Sequence, residues 1–522
     1  MQEAKKIIIT CLFFLFCQSS FAIDDKPYFD LFSVADNIVN LNSIQDVNEQ
    51  DTLIDKFQQV INKTKQGNPH SAREDLKRIS QSIKNDYQRL NFAKFLYSNG
   101  YFLLADEVLN SVHSKEELSK TVALLRNVYA IKYPLTEEQE NILHKTLSLI
   151  YQDNLPHEAS FDLKKQEELI NNSDYANYVM SCAFFALGQY DKSLQYIDQA
   201  ISINDINLSY KLYKTKIYVV SGEAKKAIDY ISDNGFGNEI LRNEFLKLYY
   251  KAAASLAKKI GDKKYYEALV CYLDCNFYGA IEALRAGLLL DDKNLKLNYL
   301  LFKSLVNIKD VSAAQKIADK MHSYNPKSPY VQEVFGDLNF IDANYVAANG
   351  FYSKAVKLKT GEVYSKLILV NTILGNNDKV EKYTKKALGV QSYMLDDNYQ
   401  IAIGILSNAN FKNLNSNDEA NYKNAKNSLR LHYLRKALQV NPFDSYYLLE
   451  MVDSVRGSVV HNFNLLELIT MLGDFNFYYC WKFGEFEDFI GNKEKAVEYY
   501  KKSAALNPSF EPAIRAISGF NL

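Results

Sequence analysis

Helix breakers are scarce in this chain, which has nine prolines and twenty glycines in 522 residues. Lys, Leu, Ala, Tyr and Ile recur instead at three- and four-residue spacing, so the pattern predicts a fold that is nearly all helix. Charge of one sign is also lacking: 61 basic against 62 acidic residues leave a formal −1. That balance excludes a global electrostatic footprint for nucleic acid or an anionic membrane surface. Cysteine is sparse, and Cys182, Cys271, Cys275 and Cys480 form no disulfide framework. Cys271 and Cys275 are four apart, but a helical turn rarely offers disulfide geometry and zinc would need another ligand pair. Buried apolar cysteine is the expectation. Motifs of chemistry are missing as well, with no HExxH helix, no GxxxxGK[ST] loop and no GxSxG elbow. The seven histidines are scattered; His432 and His461 have no partner at metal-ligand spacing. No cofactor, no metal and no enzymatic activity is expected.

Long apolar runs are confined to the start. Residues 1–22, MQEAKKIIITCLFFLFCQSSFA, join basic Lys5 and Lys6 to an apolar run from Ile7 to Cys17 and a small-residue site at Ser20-Phe21-Ala22. This is the layout of a secretory signal cleaved after Ala22. The run is short of the ~18 residues of a spanning helix. Cys17 follows bulky Phe16, which argues against lipidation there. The expectation is an exported chain, periplasmic, with outer-membrane association or secretion as alternatives, and without a transmembrane segment once the signal is gone.

The rest of the chain repeats itself. In Asp174 to Asn207 one amphipathic helix ends at Gly188 and a second begins near Asp191; Gly222 then follows Gly188 by 34 positions. Units beginning at Gly261, Leu295 and Pro329 place Ala280, Ala314 and Ala348 at the same, twentieth, position, and Asn325-Pro326 stops one second helix. The C-terminal copy carries Phe483-Gly484, Gly491-Asn492, Ala496, Tyr500 and Leu506-Asn507-Pro508. Ser232 to Gly237 breaks the helical pattern, and Asn408 to Asn427 holds eight asparagines in twenty residues; both read as joints.

These residues resemble the tetratricopeptide repeat, a family of 34-residue helical hairpins with small residues at places eight and twenty, an aromatic at twenty-four and a proline at thirty-two. The resemblance implies an all-α, TPR-like α-solenoid, a right-handed superhelix of about eight hairpins. It divides the chain into a signal peptide (1–22), an N-terminal helical capping segment (23–85) and TPR-like units over 86–237, clearest in 174–234. A central array follows over 238–394, with units 261–294, 295–328, 329–360 and 361–394. An Asn-rich spacer (395–427) then leads to a C-terminal segment (428–522), clearest in 477–510.

In this family the first helices line a concave groove, chiefly through places two, five, nine and twelve. Carried onto this sequence, those places imply a partner-binding face of Tyr175, Tyr178, Phe185, Tyr265, Tyr272, Tyr299, Lys303 and Tyr330, with Leu212 and Phe340 at related places. Tyrosine suits protein recognition because it buries a large ring, loses two torsions and keeps a hydroxyl. Aromatic stripes serve helix packing equally well, and both readings stand at this point. The paired Lys and Asn that some members use to grip a C-terminal carboxylate are absent from places five and nine. The function expected is a non-catalytic interaction scaffold or assembly factor of the bacterial cell envelope, binding a protein or peptide. The alternative is a soluble accessory of a polysaccharide or protein export machine. A site assembled from Leu118–Ser173 or Phe443–Asp474 would need converging titratable groups, and no motif supplies them.

Overall fold

The computed structural model describes residues 69–390 and 477–520, apart from 84–85, 114, 152, 236–239, 275 and 509, together with isolated positions elsewhere. The signal-like residues 1–22 lie outside the described residues, as do most of 23–68, almost all of the Asn-rich spacer and almost all of Phe443 to Asp474. Every regular element described is helical. In chain order these are α1 (Pro69–Ser82), α2 (Asp86–Ser98), α3 (Phe102–Asn110), α4 (Lys115–Tyr129), α5 (Glu137–Tyr151), α6 (Pro156–Lys164), α7 (Glu167–Asn172), α8 (Asp174–Ala186), α9 (Tyr190–Ile203), α10 (Leu208–Val220), α11 (Ala224–Asn234) and α12 (Arg242–Leu256). The central hairpins are α13 (Ile260–Leu273) with α14 (Phe277–Leu288), α15 (Leu295–Asn307) with α16 (Val311–Tyr324), α17 (Pro329–Ile341) with α18 (Tyr345–Ala355), and α19 (Gly361–Ile373) with α20 (Asn377–Leu388). A C-terminal hairpin, α21 (Phe477–Phe489) and α22 (Lys493–Leu506), precedes α23 (Glu511–Gly519). The molecule is an all-α solenoid of helical hairpins.

Local chemistry sets the ends of these helices. Asn207 Oδ1 accepts from the backbone N–H groups of Ser209 and Tyr210 at 3.0 and 3.3 Å. Asn294 and Asp310 cap α15 and α16 in the same way at 3.2 and 3.0 Å. Each cap satisfies a donor that the first helical turn leaves orphaned and is worth about 1 kcal/mol. The turns inside the hairpins share one device. The N–H of the residue after the turn reaches back five positions, from Gln189 to Phe184 at 2.9 Å, Asp310 to Leu305 at 3.0 Å and Asn376 to Asn371 at 2.9 Å. This closure needs one left-handed residue at its centre. Gly188, Gly222, Gly375 and Gly491 supply it, whereas in the central array Lys309 and Ala343 take that conformation at φ 63° and 60°. The break expected from Ser232 begins later: α11 runs on to Asn234, because Ile231 is buried and its carbonyl receives the Gly235 N–H at 2.7 Å.

Within a hairpin the two helices meet through small residues. Ala280, Ala314 and Ala348 are fully buried. In the first complete unit Ser181 and Ser193 interlock, each hydroxyl donating to the other's backbone carbonyl at 2.8 and 2.9 Å. Glycine does this work where the partner is a ring. A Cβ on Gly336 would stand 2.4 Å from Tyr352, and one on Gly484 would stand 2.6 Å from Tyr500. The single tryptophan, Trp481, lies on α21 with its ring 5.3 Å from Phe510 and Lys482 Nζ 4.3 Å from its centroid.

Two glycines therefore have separate reasons and separate costs. Gly336→Ala drives a methyl into a ring that has no room to move, and is expected to lower stability by about 2–3 kcal/mol as an overpacked core does. Gly188→Ala meets open space. It should cost only the backbone strain of a left-handed alanine, about 1 kcal/mol. Urea midpoints of the two variants, read by circular dichroism, check the order.

Candidate functional site

The first helices of the central hairpins, α13, α15, α17 and α19, stand side by side and present the expected residues in register. Tyr265, Tyr299 and Glu333 occupy equivalent places one repeat apart, as do Leu269, Lys303 and Asp337. Tyr299 and Tyr330 meet with ring centroids 5.1 Å apart. Lys303 Nζ lies 5.4 Å from the Tyr272 ring and 5.5 Å from the Tyr299 ring, within cation–π range. Tyr272 Oη accepts from Asn307 Nδ2 at 2.9 Å. Tyr265, Tyr272, Tyr299, Lys303 and Tyr330 are thus brought together as one surface, with every ring only partly buried.

Beneath it lies a charge network that single-residue reading missed. Lys366 on α19 reaches Glu333 at 2.6 Å, Asp337 at 2.8 Å and Glu362 at 3.3 Å. Lys303 holds both oxygens of Glu362, at 2.6 and 2.8 Å. The Tyr299 hydroxyl donates to Glu333 and the Tyr352 hydroxyl to Asp337, each at 2.8 Å. Lys366 and Glu333 are 2% and 1% exposed. Burial drives the Glu333 and Asp337 carboxyls upward despite Lys366. Burial also raises Glu362, but Lys303 and Lys366 outweigh it and hold that carboxyl at about 2. Burial opposes the charge on Lys366, yet Asp337, Glu333 and Glu362 together keep it ionised well above the usual lysine range. Part of this network sits at repeat places, Glu333 at five and Lys303 and Asp337 at nine, but the ion pairs run from Lys303 to Glu362 and from Lys366 to Glu333 and Asp337, which the spacing does not signal.

Tyr175, Tyr178 and Phe185 belong to a second, separate aromatic set. Tyr175 is edge-on to Phe102 at 4.6 Å and stacked on Tyr178 at 5.7 Å, which stacks on Tyr210 at 5.4 Å. Phe185 joins through Tyr213 at 5.7 Å. Tyr97 and Tyr129 form another stacked pair, at 6.5 Å. Between them opens a cleft of about 330 Å³, lined by Tyr97, Phe102, Tyr129, His144, Leu147, Tyr151, Tyr175, Tyr178 and Tyr210, with Ser98, Ser148, Ser209, Asn99 and Asn207. Gly100 lets the walls close, since a Cβ there would lie 2.6 Å from the Tyr175 hydroxyl and 2.8 Å from His144 Nε2. Burial lowers the His144 pKa to about 4. Sequence reading named only the α8 residues of this cleft: α2 and α3 lie in the TPR-like stretch from 86, whose groove places were not carried over, and α5 lacks the repeat signature. Not every twelfth place faces outward: Phe340, read as related to the groove, is fully buried and edge-on to Tyr345 at 5.2 Å.

The comparisons with known proteins fit this construction. The tetratricopeptide repeat family profile matches residues 175–207 and 478–510. Two hairpins thus carry the family's own pattern. No curated protein sequence matches the chain. Among solved structures, the crystal structure of the APC/C hetero-tetramer Cut9-Hcn1 overlaps 84% of this chain and 96% of that one at 12% identity, with a TM-score of 0.31. That overlap is too loose to transfer anything between the two. Among the described residues no helix is long and apolar enough to cross a membrane, and no three His, Cys, Asp or Glu side chains are placed to hold a metal ion.

Lys366→Met is expected to cost about 3–5 kcal/mol at pH 7, because it strands buried carboxylates without their cation. The pH dependence has a definite sign. Glu333 and Asp337 have raised native pKa values, so the stability they contribute is full below the unfolded carboxylate range near pH ~4 and is lost as pH rises through the native values. Glu362 acts oppositely, and its contribution is lost only as pH falls toward its native value of about 2. Urea unfolding should therefore show the deficit of Lys366→Met shrinking from pH 7 to pH 5, as protons replace the missing ammonium.

Proposed function

We propose that this chain is a non-catalytic protein-interaction scaffold of the bacterial cell envelope, which binds a protein or peptide partner on the face formed by Tyr265, Tyr272, Tyr299, Lys303 and Tyr330. The observation that carries the reading is the charge network under those rings. Hydrogen bonds from Tyr299 to Glu333 and ion pairs from Lys303 to Glu362 fix the surface before any partner arrives. A fixed aromatic surface loses little entropy on binding, and tyrosine is enriched among the residues that dominate interface energetics. The repeat architecture supports the same reading, because stacked hairpins offer an extended surface rather than an enclosed active site. The signal-like residues 1–22 support export to the periplasm, and the partner is accordingly sought among envelope proteins.

Affinity capture of envelope proteins on immobilised Ile23 to Leu522 tests this beside a Tyr265→Ala, Tyr330→Ala double variant. Both rings are partly exposed, so the fold should survive, as a thermal melt will show. The specific partner should bind the variant at least tenfold more weakly. Retention of that partner at unchanged affinity removes the central face from the reading. Location is tested independently: expressed with residues 1–22 in a two-membrane bacterium, the chain should be recovered in the osmotic-shock fraction with Ile23 as its first residue. A product retained in the cytoplasm with Met1 intact overturns the envelope assignment.

A further inference from the structure

The cleft between α2, α5, α8 and α10 has a chemistry unlike the central face. No lysine, arginine, aspartate or glutamate lines it; its walls are tyrosine rings, Phe102, Leu147, hydroxyls, amides and one imidazole. Carboxylates nevertheless stand behind two of the rings. The Tyr97 hydroxyl donates to Asp106, and the Tyr210 hydroxyl donates to Asp174 at 3.3 Å. A phenol that hands its proton toward a carboxylate holds more electron density in its ring, which deepens the negative potential over the ring face. Asp174 is fully buried and otherwise paired with neutral donors, namely Asn204 Nδ2 at 2.7 Å and the Lys132 and Tyr133 backbone N–H groups. The basic side chains nearby are engaged: Arg73 is bound by Glu140 and Glu137, and Lys216 lies over Phe185 and Tyr213. Arg126 offsets part of the Asp106 charge at Tyr97.

The amides of the cleft are already spent. Asn99 Nδ2 donates to the Phe95 carbonyl at 2.8 Å; Asn207 caps α10 through Oδ1 and donates to the Ala130 carbonyl at 3.1 Å. They are not free to clamp a peptide backbone. His144 is 5% exposed, its ring nitrogens closed off against the Asn99–Gly100 backbone and Tyr101 edge-on to it at 4.2 Å; the polar group left to meet a ligand is the Tyr175 hydroxyl beside Gly100. The ligand that fits should carry diffuse positive charge for the rings, no anionic group needing a basic partner deep in the cleft, and one hydroxyl for the Tyr175 phenol. The volume, about 330 Å³, is at the small end of the range that holds compact ligands.

We infer that this cleft binds a quaternary ammonium alcohol of the choline type, its trimethylammonium group among Tyr97, Tyr151, Tyr178 and Tyr210 and its hydroxyl on that of Tyr175. The site is independent of the central face, so either reading can fail without the other. Calorimetric titration of the chain from Ile23 with choline chloride tests it. Choline should bind at least tenfold more tightly than 3,3-dimethylbutanol, its uncharged isostere, and more tightly than tetramethylammonium, which lacks the hydroxyl. Tyr151, 59% exposed, gives the decisive variants because its replacement leaves the core intact. Tyr151→Phe keeps the ring and should bind within about twofold of the parent, while Tyr151→Leu keeps the bulk without the ring and should lose several-fold in affinity. Sedimentation with phosphatidylcholine vesicles, competed by choline, places the group on a lipid; binding of free choline alone places it on a soluble molecule. No heat with choline, equal binding of the uncharged isostere, or a Tyr151→Leu variant indistinguishable from Tyr151→Phe overturns the assignment.

Discussion

Close approach of two helices within each hairpin is the constraint on which the rest of this molecule depends. The second helix can lie against the first only where a side chain has been reduced to a methyl, a hydroxymethyl or nothing, as at Ala280, Ala314, Ala348, Ser193 and Gly336. The residues one turn further on, Ile197, Leu284, Ala318 and Tyr352, are fully buried in turn. The first helices of successive hairpins are thereby held in parallel register. Only in that register do Tyr299 and Glu333, Lys366 with Glu333 and Asp337, and Lys303 with Glu362, spread over three hairpins, come within hydrogen-bonding distance.

The charge network should not be counted as a source of stability. Three carboxylates and two ammonium groups have been taken out of water, and a well-packed apolar set of the same volume would hold the hairpins together at least as well. Its effect is on geometry. An ion pair with fixed partners in α15, α17 and α19 tolerates no slip between those helices, whereas an apolar contact tolerates some. The central surface is therefore stiff where the aromatic cleft, built from stacked rings and a neutral imidazole, has fewer such ties.

The fold was legible because its determinants are local and periodic. Small residues at the twentieth place, glycine in the turn and asparagine or aspartate before a helix each act within a few residues, and each recurs at the repeat spacing. Legibility failed where chemistry was relaxed or distributed. Lys309 and Ala343 adopt the left-handed turn without glycine, so those turns carried no mark. Helices α4 to α7 and α12 fold without the signature, and Tyr129, His144, Leu147, Ser148 and Tyr151 of the aromatic cleft come from α4 and α5. The tyrosines of the central face could be named from their places, but whether they faced solvent or core could not, because an aromatic ring suits both. In three dimensions those rings are only partly buried, over carboxylates whose meeting depends on neighbours in other repeats.

One tryptophan in 522 residues has a further consequence for how this molecule reports on itself. Trp481 sits in the C-terminal hairpin against Phe510 and Lys482, and every other large aromatic is tyrosine or phenylalanine. Its emission is thus a local lamp. In a solenoid, where each hairpin leans mainly on its neighbours, loss of that signal dates the melting of the last hairpin and of its contact with Tyr278 of α14, which meets the same Phe510 ring at 6.3 Å. The tyrosine stacks of α2 to α10 and of α13 to α17 lie in other parts of the array, so excitation at the tyrosine band and at the tryptophan edge would follow different segments of the same chain.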